Sequence, residues 1–338
     1  MQTLTAADYF SLAHPPVLLD VRSPGEFAAG HVAGAVSLPL FSNAERAEVG
    51  TLYKQQSPDA ALLRGLEFAG ARMRTLVEDA RAAAPGGSVV VQCWRGGQRS
   101  ASVAWLLGQA GMQVSQLRGG YKALRAYMRD WLGRDVHPLR VISGPTGSGK
   151  TAILHELRRR GEAVVDLEAL AHHKGSSFGA LGEPEQPTTE AFENRLFAAL
   201  HAISGDRTIW VEDESRMIGT VCQPEEWYRR LVSAPALEIV QPEEWRVENL
   251  VRQYAGYPRD GLVGAFQRLR KRLGGQHLSA ALEALERDDF AAAAQIALVY
   301  YDKTYAHCAA RAADREVTQL RAESPDSAAI ASQILSAV

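Results

Sequence analysis

Residues 144–151 read GPTGSGKT and match the pattern G-x-x-x-x-G-K-[ST] at every fixed position. The octet follows an apolar run at 139–143 that predicts a strand, and it opens a predicted helix at 150–160. In this context glycines let successive backbone N–H groups curl around phosphate oxygens, and the lysine adds a positive charge. The residues assigned to this diphosphate cradle are Gly144, Thr146, Gly147, Ser148, Gly149, Lys150 and Thr151.

Short apolar segments alternate with helical ones on both sides of this loop, which predicts parallel sheets covered by helices. The predicted strands are 16–21, 35–38, 88–92, 114–117, 139–143, 163–167, 208–212 and 236–240. A length of 338 residues suits two domains. We therefore expect an α/β chain with a parallel-sheet domain at 1–135, a phosphate-loop domain at 136–240 and a mainly helical extension of it at 241–338.

Composition excludes several protein classes. The chain is 46% hydrophobic and 22% charged, an ordinary globular mixture. No apolar run approaches the ~18 residues of a membrane span, and no basic start followed by an apolar block marks a secretory signal. We therefore expect a cytoplasmic protein without a membrane partner. The three scattered cysteines, Cys93, Cys222 and Cys308, predict neither a disulfide framework nor a structural metal site.

A second anion-binding loop is predicted at 93–100, CWRGGQRS, between a strand and a helix. Backbone N–H groups and the helix N-terminus converge where the cysteine sulfur sits, and two arginines add positive charge. These features stabilise a thiolate and make the cysteine nucleophilic. We assign catalysis to Cys93, Arg95 and Arg99, and the surrounding loop to Trp94, Gly96, Gly97, Gln98 and Ser100.

Acidic and polar residues add two further candidate sites. The predicted strand 208–212 ends in Glu212 and Asp213, where a carboxylate could help Thr151 hold Mg²⁺; the sequence does not choose between the two. A loop rich in glycine and serine supplies substrate-binding candidates, although a solvated helix end is the simpler interpretation. These candidates are His173, Lys174, Ser176 and Ser177.

Two basic stretches could bind nucleic acid although the net charge is only −2. In the first, the basic residues are spaced by four, three and four positions and share one helical face. Each arginine by itself is more typical of an ordinary charged surface. The residues considered together are Arg118, Lys122, Arg125 and Arg129, with Arg268, Arg270, Lys271 and Arg272 in the second stretch.

The first domain resembles a rhodanese, or sulfurtransferase, domain over about residues 4–132. The resemblance rests on LLDVR at 18–22, the following Glu26-Phe27 and Gly30-His31, and RGGY at 118–121. It implies that Cys93 carries a terminal sulfur or selenium, and that Asp20 and Arg22 pair beneath the loop. The wide C-x5-R spacing also matches rhodanese-like phosphatases and arsenate reductases. An insert at 43–70 is either a substrate lid or a surface helix pair.

The whole chain resembles the bacterial tRNA 2-selenouridine synthases, through CWRGGQRSASVAWLL, RGGYKALR, GPTGSGKT, DLEALAHHKGSSFG and VEDESR in that order. The resemblance implies a transferase that acts on 2-thiouridine at the tRNA wobble position. It implies geranylation of the sulfur by geranyl diphosphate, then selenation by selenophosphate. No tightly bound cofactor is expected; tRNA, through its anticodon region, and selenophosphate synthase are the expected partners. Residues suited to a geranyl groove, although more typical of core, are Phe178, Leu181, Phe192 and Trp210.

Several alternatives remain open from the sequence. Cys93 either carries selenium as a perselenide or attacks C2 of the base. The phosphate loop also resembles that of tRNA dimethylallyltransferases, which favours a prenyl diphosphate there, but selenophosphate is an acceptable ligand. An ATP-dependent rhodanese-type sulfurtransferase or phosphatase, acting on RNA or a small molecule, is the alternative function. A non-enzymatic docking module would not need Cys93, Arg95 and Lys150 together.

Overall fold

The chain divides into two compact units, Met1–Trp131 and Leu132–Val338. The computed structural model describes residues 2–311 and 315–337, with backbone alone for residues 308–311. Each unit has its own parallel sheet and its own buried core. None of the helices in the described ranges combines the length and apolar character that a membrane crossing requires.

The first unit is built on a five-stranded sheet in the order β1-β5-β4-β2-β3, with every pair parallel. Its central strands are buried on both faces, as expected for apolar and β-branched runs covered by helices. The elements are β1 (Gln2–Leu4), α1 (Ala6–Ser11), β2 (Val17–Asp20), α2 (Pro24–Ala29), β3 (Val36–Ser37), α3 (Asn43–Gln55), α4 (Pro58–Ala83), β4 (Ser88–Gln92), α5 (Gln98–Gln109), β5 (Gln113–Leu117) and α6 (Gly120–Leu132).

The insert predicted at 43–70 forms the helix pair α3 and α4. Capping residues explain its helix starts: Ser42 forms a reciprocal capping box with Glu45, and the Ser57 side chain accepts from the Ala60 N–H. Several large apolar side chains of the pair are exposed, including Tyr53, Leu63 and Leu66. The surface-helix interpretation therefore describes its local structure.

The second unit has a five-stranded parallel sheet in the order β12-β11-β6-β8-β7 and a short β9–β10 hairpin. The elements are β6 (Leu139–Ser143), α7 (Lys150–Arg159), β7 (Ala163–Val165), α8 (Leu167–Ala171), α9 (Thr189–His201), β8 (Ile209–Glu212), β9 (Met217–Ile218), β10 (Val221–Cys222), α10 (Glu225–Ser233), β11 (Ala236–Val240), α11 (Glu243–Tyr254), α12 (Arg259–Arg268), α13 (Arg270–Leu273), α14 (Gly275–Glu286), α15 (Phe290–Arg311), β12 (Val317–Arg321) and α16 (Ser327–Ala337).

The strand order reverses direction at β6, so the crevice at its carboxyl end is where an open α/β sheet binds ligands. The phosphate loop follows β6 directly, and the 212–214 carboxylates follow β8. Helices α12–α15 enclose a separate apolar cluster around Phe266 and Leu285. The predicted fold class, two parallel α/β sheets with a helical C-terminal region, is confirmed; β12 is a strand that the sequence patterns did not predict.

Candidate active sites

The first site is the loop between β4 and α5. Cys93 lies at its floor, with the residue 3% exposed and its Sγ 3.2 Å from the Ser100 Oγ. Trp94 and Arg95 are exposed. For the N–H groups of residues 94–98, the described part of the chain supplies no hydrogen-bond acceptor. The loop beside the sulfur therefore has backbone donors that are not used within the described chain, and such donors can bind an anion.

The RGGY turn at 118–121 holds this loop from behind. The Tyr121 N–H donates to the Cys93 carbonyl at 2.9 Å, and the Lys122 N–H donates to the Trp94 carbonyl at 3.0 Å. Gly120 has φ +60°, and a Cβ there would lie 2.2 Å from the Cys93 carbonyl oxygen. Only glycine fits such a close approach in a left-handed conformation. The two sequence motifs are therefore parts of one structure.

A buried ion pair supports the same site. The Arg22 guanidinium donates to the Asp20 carboxylate at 2.6 Å and to the Gly30 carbonyl at 2.8 Å, with both side chains essentially inaccessible. It also lies 3.7 Å from the centre of the Tyr121 ring. The predicted pairing of Asp20 with Arg22 is confirmed, and its contacts give it a structural role.

Arg99 is held by a carboxylate that sequence reasoning did not assign to the site. Its Nη1 donates to Glu26 at 2.9 Å. Burial by itself would raise the pKa of Glu26, but hydrogen bonds from Arg99 and the Ser23 N–H lower the pKa to about 2. Arg99 therefore orders the start of α5, and Arg95 is the arginine of this loop that is exposed to an incoming anion.

Glu26→Gln should destabilise the protein in a pH-dependent way. Because the folded-state pKa lies below the ordinary value, the ion pair stabilises above about pH 4.5 and is lost as pH falls towards 2. We expect the variant to be about 1–2 kcal/mol less stable at pH 7 and to keep roughly a quarter of that deficit at pH 2.5, as measured by urea unfolding. An equal deficit at both pH values would contradict this ion-pair assignment.

The second site is the phosphate loop between β6 and α7. Gly147 and Gly149 have φ +84° and +75°, and the loop opens α7 without a side-chain cap. The Lys150 Nζ donates to the Gly144 carbonyl at 3.0 Å, so the ammonium lies across the 144–151 loop. The geometry is that of a backbone cradle at a helix N-terminus.

Helix α11 supports this loop from the outside, which no sequence motif indicated. The Arg246 Nε donates to the Thr146 carbonyl at 2.9 Å, and the Asn249 Nδ2 donates to the Gly147 carbonyl at 3.0 Å. Arg246 in turn forms a two-pronged ion pair with Asp302 of α15. These side chains fix loop carbonyl groups and occupy no loop N–H group; within the loop, the Ser148 N–H donates to the Pro145 carbonyl at 3.1 Å.

An acidic cluster faces the start of α7. The Thr151 hydroxyl donates to Glu168 at 2.7 Å, and the Glu168 N–H donates to the buried Glu212 at 2.8 Å. Burial and neighbouring carboxylates raise the pKa of Glu212 well above its usual range. For Glu214, burial together with Glu168 raises the pKa to about 8 despite Lys150. These buried carboxyl groups therefore hold their protons more strongly than exposed carboxyl groups do, and they titrate as a group rather than independently.

The two carboxylates that the sequence suggested for Mg²⁺, Glu212 and Asp213, differ in whether other side chains already contact them. Asp213 accepts from the Ser143 hydroxyl at 2.8 Å and forms an ion pair with Arg315 at 3.0 Å. The Oε2 of Glu212 is buried and has no partner among the described residues. Within those residues no group of three or more metal-binding side chains is placed to hold an ion. Mg²⁺ usually binds through one or two carboxylates plus substrate phosphates, so Thr151, Glu168 and Glu212 fit it.

The loop at 173–179 lies against the same crevice. The Lys174 Nζ is held by Glu183 at 2.9 Å and by the Leu181 carbonyl at 2.8 Å. The Ser177 N–H donates to the Tyr301 hydroxyl at 3.0 Å, and the Phe178 N–H donates to the Ser176 hydroxyl at 3.1 Å. Gly179 leaves space for the His173 ring, which is partly buried. Of these candidates, Lys174, Ser176 and Ser177 line the cavity described next.

A cavity of about 840 Å³ begins at the phosphate loop, where Lys150 and Thr151 line it. Tyr254 and Tyr301 line it further along. The remaining apolar wall comes from α12, α14 and α15, through Leu262, Phe266, Leu285, Phe290, Ala293 and Ala297. The surface of the phosphate loop and this apolar wall thus line one continuous cavity.

Of the four residues that the sequence suggested for a geranyl groove, one lines the cavity and others lie in the core. Phe178 lines the cavity, whereas Leu181 packs at the margin of the helical cluster. Phe192 and Trp210 are 0% and 2% exposed within the core. The apolar wall of the cavity instead lies in the C-terminal helices, whose alanine, leucine and phenylalanine residues give no local sign of a cavity.

The two sets of basic residues, at 118–129 and 268–272, differ in the contacts that they make. On α6 and the turn before it, Arg118, Lys122 and Arg129 are exposed and Arg125 is half-buried. In the second set, Arg268 donates to the Ser177 carbonyl at 2.6 Å and Arg272 to the Tyr300 hydroxyl at 3.2 Å. Arg272 also lines the cavity. These two arginines contact the cavity region, whereas Arg270 and Lys271 are simply exposed.

Comparison with known proteins matches both units. The family model for the tRNA 2-selenouridine synthase AAA domain matches residues 137–331, and the model for a rhodanese-like domain matches residues 8–127. The tRNA 2-selenouridine synthase of Bdellovibrio bacteriovorus is 43% identical over 70% of this chain, and the match spans 64% of that relative's length. The synthases of Nitrosomonas eutropha and Shewanella loihica are 37% and 36% identical, over 85% and 90% of this chain and 72% and 90% of theirs.

Proposed function

This chain belongs to the tRNA 2-selenouridine synthase family, and we propose that it converts wobble 2-thiouridine in tRNA to 2-selenouridine through an S-geranyl intermediate. The observation that carries the proposal is the cavity of about 840 Å³ that joins the phosphate loop to an apolar wall. A diphosphate attached to a hydrocarbon chain matches both surfaces. A nucleoside triphosphate would leave the apolar wall without a partner.

The first step is prenyl transfer at the phosphate loop. The 2-thio sulfur forms a bond to C1 of geranyl diphosphate, the C1–O bond breaks, diphosphate leaves, and the N3 proton of the base is released. Negative charge grows on the departing diphosphate, where the loop N–H groups and Lys150 lie ready to stabilise it. The Arg246 and Asn249 contacts keep the loop in place during this change.

Mg²⁺ would be held by Thr151 with Glu168 or Glu212, and when bound it would neutralise charge on the diphosphate. The Thr151 hydroxyl now directed to Glu168 would turn to the ion.

The second step is selenation at the Cys93 loop. The thiolate of Cys93 attacks C2 of the base and displaces geranylthiolate; the selenium of selenophosphate then displaces Cys93, and hydrolysis of the Se–P bond releases phosphate. Selenium in selenophosphate is already at the selenide level, so this route needs no oxidant. Loading Cys93 as a perselenide would need a two-electron oxidant. The small loop, with free N–H groups and exposed Arg95, suits selenophosphate.

The exposed basic face of α6 is proposed to contact tRNA phosphates. Replacing Lys122 and Arg129 together by glutamate should weaken tRNA binding and reduce the slope of log K against log salt by about 1.5, because two phosphate contacts are lost. Binding isotherms between low and physiological salt measure this slope. The matched control is Lys54→Glu with Arg74→Glu, an equal charge change on the α3–α4 surface. Equal slopes in the two double variants would remove α6 from the interface.

The deciding experiment combines purified protein, a 2-thiouridine anticodon stem-loop RNA, geranyl diphosphate and selenophosphate without ATP. Mass spectrometry of the digested nucleosides should show the S-geranyl nucleoside first and 2-selenouridine later. Omission of selenophosphate should stop the reaction at the S-geranyl nucleoside. If products appear only when ATP is added, the prenyl-diphosphate proposal fails and an ATP-dependent rhodanese-type sulfurtransferase becomes the better assignment.

A further inference from the structure

Helix α15 runs from the phosphate loop along the apolar wall of the cavity. Its Asp302 is tied to the loop through Arg246, which donates to the Thr146 carbonyl. From Asp302, at 1.5 Å per residue, Ala297 lies about 7.5 Å and Ala293 about 13.5 Å further along the helix axis. Phe290 lies roughly 18 Å along it. The helix therefore places small and large apolar side chains at increasing distances from the residue that anchors it to the loop.

We propose that Ala297 of α15 sets the chain length of the prenyl diphosphate, by leaving room for a second isoprene unit, with Ala293 continuing the channel. This inference rests on the proposed prenyl transfer at the phosphate loop. Geranyl diphosphate differs from dimethylallyl diphosphate by this second isoprene unit. With C–C bonds of about 1.5 Å, a zigzag geranyl chain reaches roughly 9 Å from C1, and a dimethylallyl chain roughly 4 Å.

The position of these alanines supports the assignment. Ala293 and Ala297 are four residues apart, so they share one helical face. Both line the cavity and are 3% and 5% exposed. Phe266 and Leu285 line the same cavity and belong to the same apolar cluster. A larger side chain at Ala297 would therefore extend into space that the second isoprene unit needs.

Lys150 and the side chains that hold the loop carbonyls belong to other elements than α15. Tyr301 and Asp302, however, share α15 with Ala297, and Tyr301 lies one turn away on the same helical face. The Ser177 N–H donates to the Tyr301 hydroxyl at 3.0 Å and so holds that side chain at the cavity wall. Inhibition by inorganic diphosphate therefore checks that a substitution at Ala297 leaves diphosphate binding intact.

The experiment compares wild type, Ala297→Leu, Ala297→Val and the control Ala291→Leu, which changes an exposed position of the same helix. Transfer to 2-thiouridine RNA is measured with geranyl and with dimethylallyl diphosphate. We expect Ala297→Leu to lower kcat/KM for geranyl diphosphate at least tenfold and for dimethylallyl diphosphate less than twofold. The valine variant should show a smaller change in the same direction, and inhibition by inorganic diphosphate should be unchanged in all variants.

The results distinguish a failure of the chain-length role from a failure of the proposed prenyl transfer. If wild type transfers geranyl and Ala297→Leu lowers both substrates equally, or neither, the chain-length role is wrong although prenyl transfer stands. If wild type transfers no prenyl group from either diphosphate, the proposed function fails and this inference with it. Retained dimethylallyl transfer by Ala297→Leu shows that the variant is folded.

Discussion

Lys150→Ala is expected to reduce geranyl transfer to 2-thiouridine RNA by about 10²–10³-fold, the usual cost of removing one preorganised donor from a site of developing charge. The Lys150 ammonium lies across the phosphate loop, 3.0 Å from the Gly144 carbonyl. Its positive charge can therefore stabilise the negative charge that develops on a diphosphate departing from that loop. Loss of S-geranyl nucleoside, measured by mass spectrometry at saturating RNA, is the readout.

Two controls sharpen this prediction. Lys174→Ala removes another lysine that lines the cavity, but its ammonium is already engaged by Glu183 and the Leu181 carbonyl. A much smaller effect on transfer is expected for that variant. RNA that already carries S-geranyl-2-thiouridine should be selenated normally by Lys150→Ala. Near-normal geranyl transfer by Lys150→Ala would mean that the diphosphate binds elsewhere.

Cys93→Ala is expected to abolish 2-selenouridine formation and to let the S-geranyl nucleoside accumulate. The sulfur lies at the floor of the 93–97 loop, 3.2 Å from the Ser100 Oγ, and a thiolate is a much stronger nucleophile than a serine hydroxyl. Nucleoside analysis in the presence of both co-substrates measures the two products. The matched control is Cys222→Ala, which removes the half-buried thiol of the other unit and should leave both steps unchanged.

A trapping experiment tests how Cys93 acts. Wild-type protein mixed with S-geranyl RNA, without selenophosphate, should release geranylthiol and form a covalent RNA–protein adduct that Cys93→Ala does not form. Selenium bound to the protein before RNA is added, with no RNA adduct, would instead support a carrier role. Normal selenation by Cys93→Ala would remove this loop from the mechanism altogether.

The fold could be predicted far better than the environment of each site. The strands at 88–92 and 139–143 were predicted with the same limits that the structure has, because each is a short apolar run bounded by polar or glycine residues. Strand β12, VTQLR, was missed because four of its five residues are exposed and it has no apolar run. It pairs only with β11 at the edge of the sheet.

In the candidate sites, contacts within a motif were predictable and contacts between distant residues were not. Pairing between Asp20 and Arg22 was predictable through the family motif, whereas the Glu26 contact with Arg99 spans 73 positions. Arg246 reaches the Thr146 carbonyl across 100 positions and Arg315 reaches Asp213 across 102. Neither arginine lies in a recognisable motif, so the sequence offered no signal for either of them.

The sequence by itself determined the two anion-binding loops and their order along the chain, because a loop that binds through consecutive N–H groups is encoded by consecutive residues. Tertiary structure decided which distant side chains hold those loops, and which apolar residues line a cavity and which fill the core. Phe178 and Phe192 are both phenylalanines in buried surroundings, yet one lines the cavity and the other lies in the core. That difference depends on how α12, α14 and α15 pack, and packing is set by contacts among residues far apart in sequence.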